Sequence, residues 1–219
     1  KYLIENRNHN TDKLLVNNVI PQHLLHKTDC HNCGSSESSH VFEKDGFNIV
    51  SCDKCGLVYV SDILADDFYM DTYSSEKYAD VVSKLGFDSH EYRKERFGSE
   101  RIKKISEHVN SLTNPSFLDV GCSTGFVVQS ASEKGWKSKG IDLNSHAVKF
   151  GRNTYNLNLT SENFFELTEN FDCIGMYDVL EHVSNPRMFL EQAHNLLNSN
   201  GIIHIYVPNW NSASRYILG

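Results

Sequence analysis

The stretch SFLDVGCSTGFV, from Ser116 to Val127, constrains the fold of this chain more than any other. It runs from residues with strand character into a loop that holds Gly121 and Gly125, and a helical pattern follows. The alternation then repeats: SFLDVG, KSKGIDL, FDCIGMYDVL and GIIHIYVPN have strand character, whereas FVVQSASEKG, SHAVKFGRNTY and PRMFLEQAHNLLNSNG have helical character. Strands that alternate with helices predict an α/β fold with a Rossmann-like, doubly wound parallel sheet.

The last helix has the clearest limits. Pro186 lies in its first turn and Gly201 is expected to end it. Its apolar face is predicted to consist of Phe189, Leu190, Ala193, Leu196 and Leu197.

Bulk composition narrows the class of protein. The 219 residues, 39% hydrophobic and 22% charged, suit one medium domain plus a small one. No apolar run approaches the roughly 18 residues of a membrane helix, and the first residues, KYLIENRNHNTDKLL, lack the pattern of a signal peptide. We therefore expect a soluble, cytoplasmic protein. The net charge of −7 disfavours nucleic acid as the main partner.

Four segments are predicted. An N-terminal extension covers 1–27, a zinc ribbon 28–61, a helical connector and cofactor lid 62–112, and the α/β domain 113–219.

Six cysteines are present, of which four form two pairs. CHNCG supplies Cys30 and Cys33, and CDKCG supplies Cys52 and Cys55, with 18 residues between the pairs. This spacing is typical of a zinc ribbon, and four thiolates would complete a closed, structural Zn²⁺ site. A redox or disulfide pairing, or iron, is the alternative.

Glycine follows each C-x-x-C motif, or knuckle, and a histidine lies inside the first one. Gly34 and Gly56 follow the second cysteine of each pair, where glycine is expected to relieve crowding as the chain turns away. His31 lies inside the first knuckle and is expected to point outward.

The glycine loop can be tested against known phosphate-binding patterns. A G-x-G-x-x-G fingerprint that begins at Gly121 needs glycines at 123 and 126, where the chain has Ser123 and Phe126. No G-K-[ST] follows, so a P-loop is excluded as well. What remains is Asp119 at the strand end, beside the glycine turn, where an acid can bind a positively charged group.

A second acid lies at the end of the next strand. GIDLN places Asp142 about 20 residues further on, where a carboxylate holds ribose hydroxyls. Two acids with a glycine turn between them suit S-adenosylmethionine, its cationic amino-acid end at Asp119 and Gly121 and its ribose at Asp142.

With these motifs in order, the sequence resembles the class I S-adenosylmethionine-dependent methyltransferases. LDVGCSTG matches their first motif, GIDLN their second, and FDCIGMYDVLEHVSNP their fourth-strand segment, over about residues 115–210. Upstream, the cysteine knuckles, GLVYVSD and FYMDTYSSEKYAD resemble the subgroup with an N-terminal zinc-binding module, which includes sugar C-methyltransferases.

The sequence departs from the family pattern in two places. Ser123 stands where the family usually has a third glycine, and a small residue should be tolerated. The family sheet has seven strands, whereas this sequence stops after the fifth; the expectation is a fold truncated there, with any catalytic base beyond residue 219 missing.

The resemblance implies a set of cofactor-binding residues around the strand ends. Adenine is expected near Glu162 or Asn163, with Phe164 packed on the ring, and Tyr73 and Tyr78 are expected either to close over the cofactor or to serve ordinary helix packing. The remaining predicted contacts are Asp119, Gly121, Cys122, Ser123, Gly125, Asp142, Leu143 and Asp178.

DVLEHV raises the question of catalysis. It follows the fourth strand at the carboxyl edge, so Asp178, Glu181 and His182 are candidate catalytic residues. An imidazole that titrates near neutrality suits proton removal; in quinone-type O-methyltransferases this segment can hold a divalent cation. The structural alternative is that Glu181 caps a turn and His182 orients the pocket.

The basic residues before the glycine loop are expected to form a solvated helix face balanced by glutamates. They are Arg93, Lys94, Arg96, Arg101, Lys103 and Lys104.

The favoured function is methyl transfer from S-adenosylmethionine to a small-molecule acceptor, with a sugar-linked metabolite preferred and carbon or oxygen as the acceptor atom. The alternatives are an rRNA or tRNA methyltransferase whose zinc ribbon binds nucleic acid, and a non-catalytic interaction protein. Net charge disfavours the first alternative, and the intact Asp119, Gly121 and Asp142 disfavour the second.

Overall fold

The computed structural model of this protein describes residues 20–64 and 76–213, and for residues 76–83 it describes the backbone alone. The chain divides into two compact units, Lys1–Met70 and Asp71–Gly219. Each unit has its own β-sheets. The predicted segment boundaries at 27/28, 61/62 and 112/113 remain predictions.

The first unit is built from short antiparallel strands. Strands β2, β3 and β4 form one sheet, and β1 pairs with β5 in another. The β2–β3 hairpin turns at Asp45 and Gly46, both with left-handed φ (52° and 83°), which matches the right-handed twist of the strands. The strands are Leu25–Lys27 (β1), Ser38–Lys44 (β2), Phe47–Cys52 (β3), Val58–Val60 (β4) and Asp62–Leu64 (β5).

The second unit contains the predicted parallel sheet. Its five strands lie in the order β10-β9-β6-β7-β8, and every pairing is parallel. The expected Rossmann-like fold class is therefore confirmed. The strands are Ser116–Val120 (β6), Lys137–Ile141 (β7), Leu159–Thr160 (β8), Phe171–Tyr177 (β9) and Leu197–Tyr206 (β10).

α-Helices precede the first of these strands and occupy the segments between them, except between β8 and β9, where the 3₁₀ turn Phe164–Glu166 lies. None of the helices in the described ranges has the length and apolar character that crossing a membrane requires. The helices are Glu76–Arg93 (α1), Ser99–Ser106 (α2), Phe126–Glu133 (α3), Ser145–Tyr155 (α4) and Pro186–Asn195 (α5), with a π-helical turn over Lys94–Gly98 between α1 and α2.

The core lies on both faces of the sheet, because side chains alternate along each strand. On one face Phe117 packs with Ile105 of α2 and Val127 of α3. On the other, Leu118 packs with Ala193 of α5. Because helices cover both faces of the sheet, the central strands β6 and β9 are apolar along most of their length.

The end of α5 differs from the prediction. The helix ends at Asn195, with Leu196 as its C-cap, and Leu197 begins β10. Gly201 therefore lies within a strand and does not end the helix. The extra residues form an irregularity in the β9–β10 pairing between Leu197 and Ile202, where Asn200 has a φ of 64°. The helical periodicity of the sequence does not indicate this bulge, so the predicted helix is too long.

Candidate functional site

The carboxyl ends of β6, β7 and β9 meet at one edge of the sheet. Strand β6 lies in the middle, paired with β7 on one side and β9 on the other, so the chain order reverses there. Open α/β sheets bind ligands in the crevice at such a reversal. The predicted acids Asp119, Asp142 and Asp178 are all placed at or just beyond these strand ends.

The loop between β6 and α3 turns through three left-handed residues. They are Gly121 (φ 74°), Ser123 (φ 52°) and Gly125 (φ 83°). The N–H groups of Gly121 and Cys122 both donate to Ile141 O, at 2.8 and 3.0 Å, which fixes the loop to the end of β7. Because left-handed backbone costs a non-glycine residue about 1–2 kcal/mol, Ser123 stores a little strain in the loop.

The two glycines are also required for space. A Cβ at Gly121 would lie 2.6 Å from Val179 Cγ2, and one at Gly125 would lie 2.8 Å from Leu157 Cδ1. A side chain at either position would have to push Val179 or Leu157 aside and would also have to adopt left-handed backbone.

Asp119 is the most unusual group at this edge. Its side chain is 2% exposed, and its Oδ1 has no hydrogen-bond partner among the described residues. Burial raises the pKa of its carboxyl to about 8; Arg101 opposes this rise, Asp142 adds to it and Arg93 opposes it. A buried acceptor without a donor costs free energy, which a cationic or donating ligand group would recover.

Asp142 joins the glycine loop to the start of α4. Its Oδ2 accepts from Ser123 N at 2.7 Å and its Oδ1 from Asn144 N at 2.8 Å. Burial raises the pKa of this carboxyl, and the two backbone hydrogen bonds oppose that shift. Two carboxylate oxygens offer about four acceptor positions, so each oxygen retains capacity for a ligand hydroxyl.

Arg101 and Asp178 form an ion pair beside Asp119. Asp178 follows β9 with a left-handed φ of 56° and is exposed. The Arg101 guanidinium lies 3.8 Å from its Oδ2 and 4.1 Å from the centre of the Tyr177 ring. The Arg101 side chain is only 13% exposed, so α2 directs a desolvated cation at the strand edge.

Arg93 brings a second cation to the same place. Its guanidinium lies 4.2 Å from the centre of the Phe126 ring, at the start of α3. Burial lowers the pKa of Arg93, as does the Arg101 charge, while Asp119 and Asp178 raise it. The site therefore combines two guanidinium groups with several carboxylates.

The expectation of a solvated basic face is wrong for Arg93 and Arg101. It holds for Arg96 and Lys104, which both pair with Glu100, at 3.6 and 2.9 Å. The sequence did contain a signal: neither Arg93 nor Arg101 has an acid three or four residues away, whereas the solvated residues do. Arg101 instead pairs with Asp178, and Arg93 lies in the field of Asp119 and Asp178.

The residues predicted to lie near adenine make contacts within the protein, and their binding role remains a prediction. Glu162 accepts from Lys139 Nζ at 2.8 Å, and the Asn163 side chain accepts from Phe165 N at 3.1 Å. Phe164 does not offer its ring to a ligand, because it is buried in the core and stacked on Phe189 with 5.5 Å between centroids. Leu143 is exposed beside Asp142 and presents apolar surface at this end.

The candidate catalytic residues lie in a short turn after β9. Glu181 and His182 are exposed within the 3₁₀ turn Leu180–His182, which His182 N closes by donating to Val179 O at 2.9 Å. Tyr73 and the side chain of Tyr78 lie outside the described residues. The roles predicted for these residues remain predictions.

A separate groove of about 620 Å³ lies away from this edge. Ser116, Lys137 and Phe171 line it, and these residues begin β6, β7 and β9. It therefore follows the amino ends of the strands, opposite the crevice described above.

In the first unit, four cysteine thiols come together. The Sγ atoms of Cys30, Cys33, Cys52 and Cys55 all lie within 4.8 Å of one another. Cys30 Sγ is 3.5 Å from Cys55 Sγ, and Cys33 Sγ is 3.5 Å from Cys52 Sγ. The Leu57 backbone N–H, followed by the Asn32 side chain, lowers the pKa of Cys55 to about 6. Four thiols at this spacing fit the tetrahedral donor set of Zn²⁺.

The glycines of the knuckles serve conformation rather than space. Gly34 and Gly56 have φ of 70° and 75°, and no heavy atom lies within 4 Å of a Cβ at either position. Their N–H groups donate to Cys30 O and Cys52 O, at 2.8 and 2.9 Å. The predicted relief of crowding is wrong, and left-handed backbone explains the glycines. His31 packs edge-to-face on Tyr59, with 5.9 Å between ring centroids.

Comparison with protein families identifies the second unit. A family model described as a methyltransferase domain matches residues 69–217. The chain belongs to this methyltransferase domain family. The family match begins after the cysteine cluster and does not bear on it.

Two curated relatives of this methyltransferase domain share a name. The ubiquinone biosynthesis O-methyltransferase of Glaesserella parasuis serovar 5 (strain SH0165) is 31% identical over 131 residues, which cover 54% of this chain and 55% of that protein. The enzyme of the same name from Pasteurella multocida (strain Pm70) is 31% identical over 127 residues, covering 50% of this chain and 52% of that protein. The chain thus spans about half the length of the curated relatives it matches.

A solved structure supports the fold. The plantazolicin methyltransferase BpumL in complex with SAH superposes with a TM-score of 0.51 at 20% identity, covering 63% of this chain and 56% of that one.

Proposed function

We propose that this methyltransferase domain binds S-adenosylmethionine and transfers its methyl group to a small-molecule acceptor. The observation that carries the proposal is Asp119 Oδ1, a buried acceptor without a partner among the described residues, at the point where the strand order reverses. The cofactor's ammonium group is the cation that would satisfy it.

The charged groups of the site match the rest of the cofactor's amino-acid end. Its carboxylate needs a cation close to the ammonium site, and Arg101 and Arg93 both act electrostatically on Asp119. Asp142 retains acceptor capacity for the ribose diol, and exposed Leu143 offers apolar surface next to it for the base. The residues present therefore fit the cofactor that the family implies.

The bound cofactor supplies an activated methyl group on a sulfonium, so the chain's own task is to align the acceptor and to take up a proton. Asp178 is held by Arg101 at the carboxyl edge and orients the acceptor. His182, exposed in the next turn, accepts the acceptor's proton at its imidazole, and Glu181 lies beside it.

We propose a sugar-linked small molecule as the acceptor, methylated at carbon or oxygen. The resemblance of the CHNCG and CDKCG motifs to the zinc module of sugar C-methyltransferases supports the sugar, and the name of the curated relatives supports oxygen as an acceptor atom. In the same proposal Cys30, Cys33, Cys52 and Cys55 hold one structural Zn²⁺, since four thiolates leave no open coordination position for chemistry.

Calorimetric titration with S-adenosylhomocysteine tests the cofactor assignment. The variant Asp142→Ala should bind the ligand more weakly by about 1.5–3 kcal/mol, the range for hydrogen bonds to a charged group. Asp172→Ala is a matched control, because Asp172 also accepts from a backbone N–H, that of Ser116 at 2.8 Å, but lies at the amino edge of the sheet.

The control should lose stability and keep its affinity for S-adenosylhomocysteine. Equal affinities in the wild type and Asp142→Ala would contradict the assignment of Asp142 to the ribose. Failure of the wild type to bind S-adenosylhomocysteine would contradict the proposed function.

A further inference from the structure

A buried histidine contacts the glycine loop from α1. The side chain of His90 is 0% exposed. Its Nδ1 lies 2.8 Å from Thr124 Oγ1, and its Nε2 lies 2.7 Å from Gln129 Oε1. Thr124 is itself fully buried and lies between the loop glycines Gly121 and Gly125. The imidazole thus joins α1 to the loop and to α3.

The hydrogen-bond chain fixes the protonation of this ring. Gln129 Nε2 donates to Glu133 Oε1 at 3.0 Å, and since a carboxylate only accepts, the amide oxygen of Gln129 must face His90. His90 Nε2 therefore carries the proton and donates. Its Nδ1 is then a bare acceptor, and the Thr124 hydroxyl donates to it.

The packing leaves little room for another arrangement. The Tyr155 ring stacks on the imidazole, with 4.0 Å between centroids and 12° between planes. One turn before His90, a Cβ at Gly86 would lie 3.1 Å from Thr124 Cγ2. Helix α1 is therefore pressed on the loop, with the Thr124 methyl against Gly86 and its hydroxyl on His90.

We propose that His90 is a positioning residue that holds the cofactor loop through Thr124, and that it does so only while its imidazole is neutral. The inference rests on the proposed function, because the loop is the one assigned there to S-adenosylmethionine. It follows that protonation of His90 weakens cofactor binding.

The charges around His90 favour the neutral ring. Burial lowers the pKa of His90 from 6.5; the hydrogen bond that His90 donates to Gln129 and the Glu91 charge oppose this shift, and the Lys94 and Arg93 charges add to it. Lys94 also pairs with Glu133 of α3 at 3.0 Å, and Tyr155 of α4 faces the ring as a neutral phenol whose own pKa is raised by burial.

Protonation would place a second N–H against the Thr124 hydroxyl. The hydroxyl would have to rotate to accept, which strands its own proton in a buried place. Since the pKa is lowered, this change occurs below pH 6.5 and leaves the loop intact at neutral pH.

The test is calorimetry with S-adenosylhomocysteine at a series of pH values from about 8 down to about 4.5, because the lowered pKa of His90 places its protonation below the ordinary histidine range. Thr124→Val removes the hydroxyl but keeps the shape, and it should lower affinity at the high end of the pH series by roughly three- to tenfold, the effect of one hydrogen bond. The wild type should lose this advantage at the low end, so the ratio of wild-type to variant affinity should approach one.

Three further variants separate positioning from folding. Thr124→Ser keeps the hydroxyl and should keep the pH-dependent ratio. His90→Asn keeps an acceptor at the Nδ1 position without a titrating group, and should bind like the wild type at about pH 8 and more tightly than it at the low end of the pH series. Ser89→Ala, which removes a hydroxyl that bonds only Leu85 O within α1, is the control and should match the wild type throughout.

The outcomes are distinct. A Thr124→Val affinity equal to that of the wild type, or a ratio that does not change with pH, would overturn the positioning role while leaving the proposed function intact. Failure of the wild type to bind S-adenosylhomocysteine at about pH 8 would contradict the proposed function and this inference with it.

Discussion

At the scale of single residues, Asp119 carries a stability cost that a ligand can remove. Its folded-state pKa is about 8, against an ordinary value of 3.8. Between these values the folded chain binds a proton that the unfolded chain has released, so stability must fall as pH rises through this window. Below about pH 8 the free protein therefore holds this carboxyl protonated, and a bound cation would favour the carboxylate.

The variant Asp119→Asn should reveal this cost. Its stability relative to the wild type should rise by a few kcal/mol as pH rises from about 4 to about 8, at about 1.36 kcal/mol per unit of pKa shift. Urea unfolding at several pH values measures the difference, and near the lower limit the two proteins should differ only by the cost of a buried amide.

Saturating S-adenosylhomocysteine should stabilise the wild type at high pH and have little effect on Asp119→Asn. A stability difference that does not change with pH would show that Asp119 ionises freely, and the assignment of the cationic subsite to it would lose its physical basis.

The positions of the acidic residues of this site could be predicted from the sequence, but those of the basic residues could not. Asp119 and Asp142 lie at strand ends, where the local pattern alone fixes their position. Arg93, Arg101 and His90 come from helices that precede the sheet. The absence of acids three or four residues from Arg93 and Arg101 indicates that these two lack helix partners, but their direction depends on the π-helical turn at Lys94–Gly98 and on tertiary packing. Tertiary contacts decided which face of those helices is buried.

At the scale of elements, α4 packs closely on the glycine loop because Gly151, at the contact, has no side chain. A Cβ at Gly151 would contact Thr124 O and lie 2.5 Å from Leu159 Cδ1. Alanine would favour the helix by about 0.5–1 kcal/mol. Overpacking against backbone costs about 1–3 kcal/mol, so the clash should prevail.

We therefore expect Gly151→Ala to lower the free energy of unfolding and to weaken S-adenosylhomocysteine binding together, because the displaced atom belongs to the loop. Asn153→Ala on the exposed side of α4 gains the helix propensity without the contact and should be neutral or slightly stabilising. Gly151→Ala at least as stable as Asn153→Ala would show that α4 can move away from the loop at no cost.

Element types were predictable where two signals agreed. Pro186 and the Asn185 side chain, which accepts from Met188 N at 3.2 Å, mark the start of α5 as the sequence suggests. At the other end the apolar residues Leu196 and Leu197 continue the helical spacing, yet Leu197 pairs with Phe171 of β9. Pairing with a distant strand overrode the local pattern there.

At the scale of the whole molecule, the two units draw stability from different sources. The described part of the first unit, 20–64, buries few apolar residues, among them Ile20, Val50 and Leu64, and has the cysteine cluster in addition. Domains this small usually need a metal or disulfides to fold. The second unit has apolar clusters on both faces of its sheet.

We expect one zinc per chain in reduced protein, held by the four clustered cysteines. Cys52→Ala should abolish the metal content measured by mass spectrometry. Cys173→Ala should retain it, because Cys173 is buried in the core of the sheet and lies outside the cluster. Zinc in both variants, or in neither, would contradict the assignment.

Chelation should then separate the two units. Removing zinc should unfold residues 28–60, seen as loss of amide exchange protection there, because metal binding supplies the folding energy of such a module. The second unit should keep its affinity for S-adenosylhomocysteine, since every residue assigned to that ligand lies in Asp71–Gly219.

Conversely, S-adenosylhomocysteine at about 100 times its Kd should stabilise the second unit by about 2.7 kcal/mol and leave zinc retention unchanged. If chelation also abolished S-adenosylhomocysteine binding, the metal would have to support the cofactor site itself, and the separation of roles between the units would be wrong.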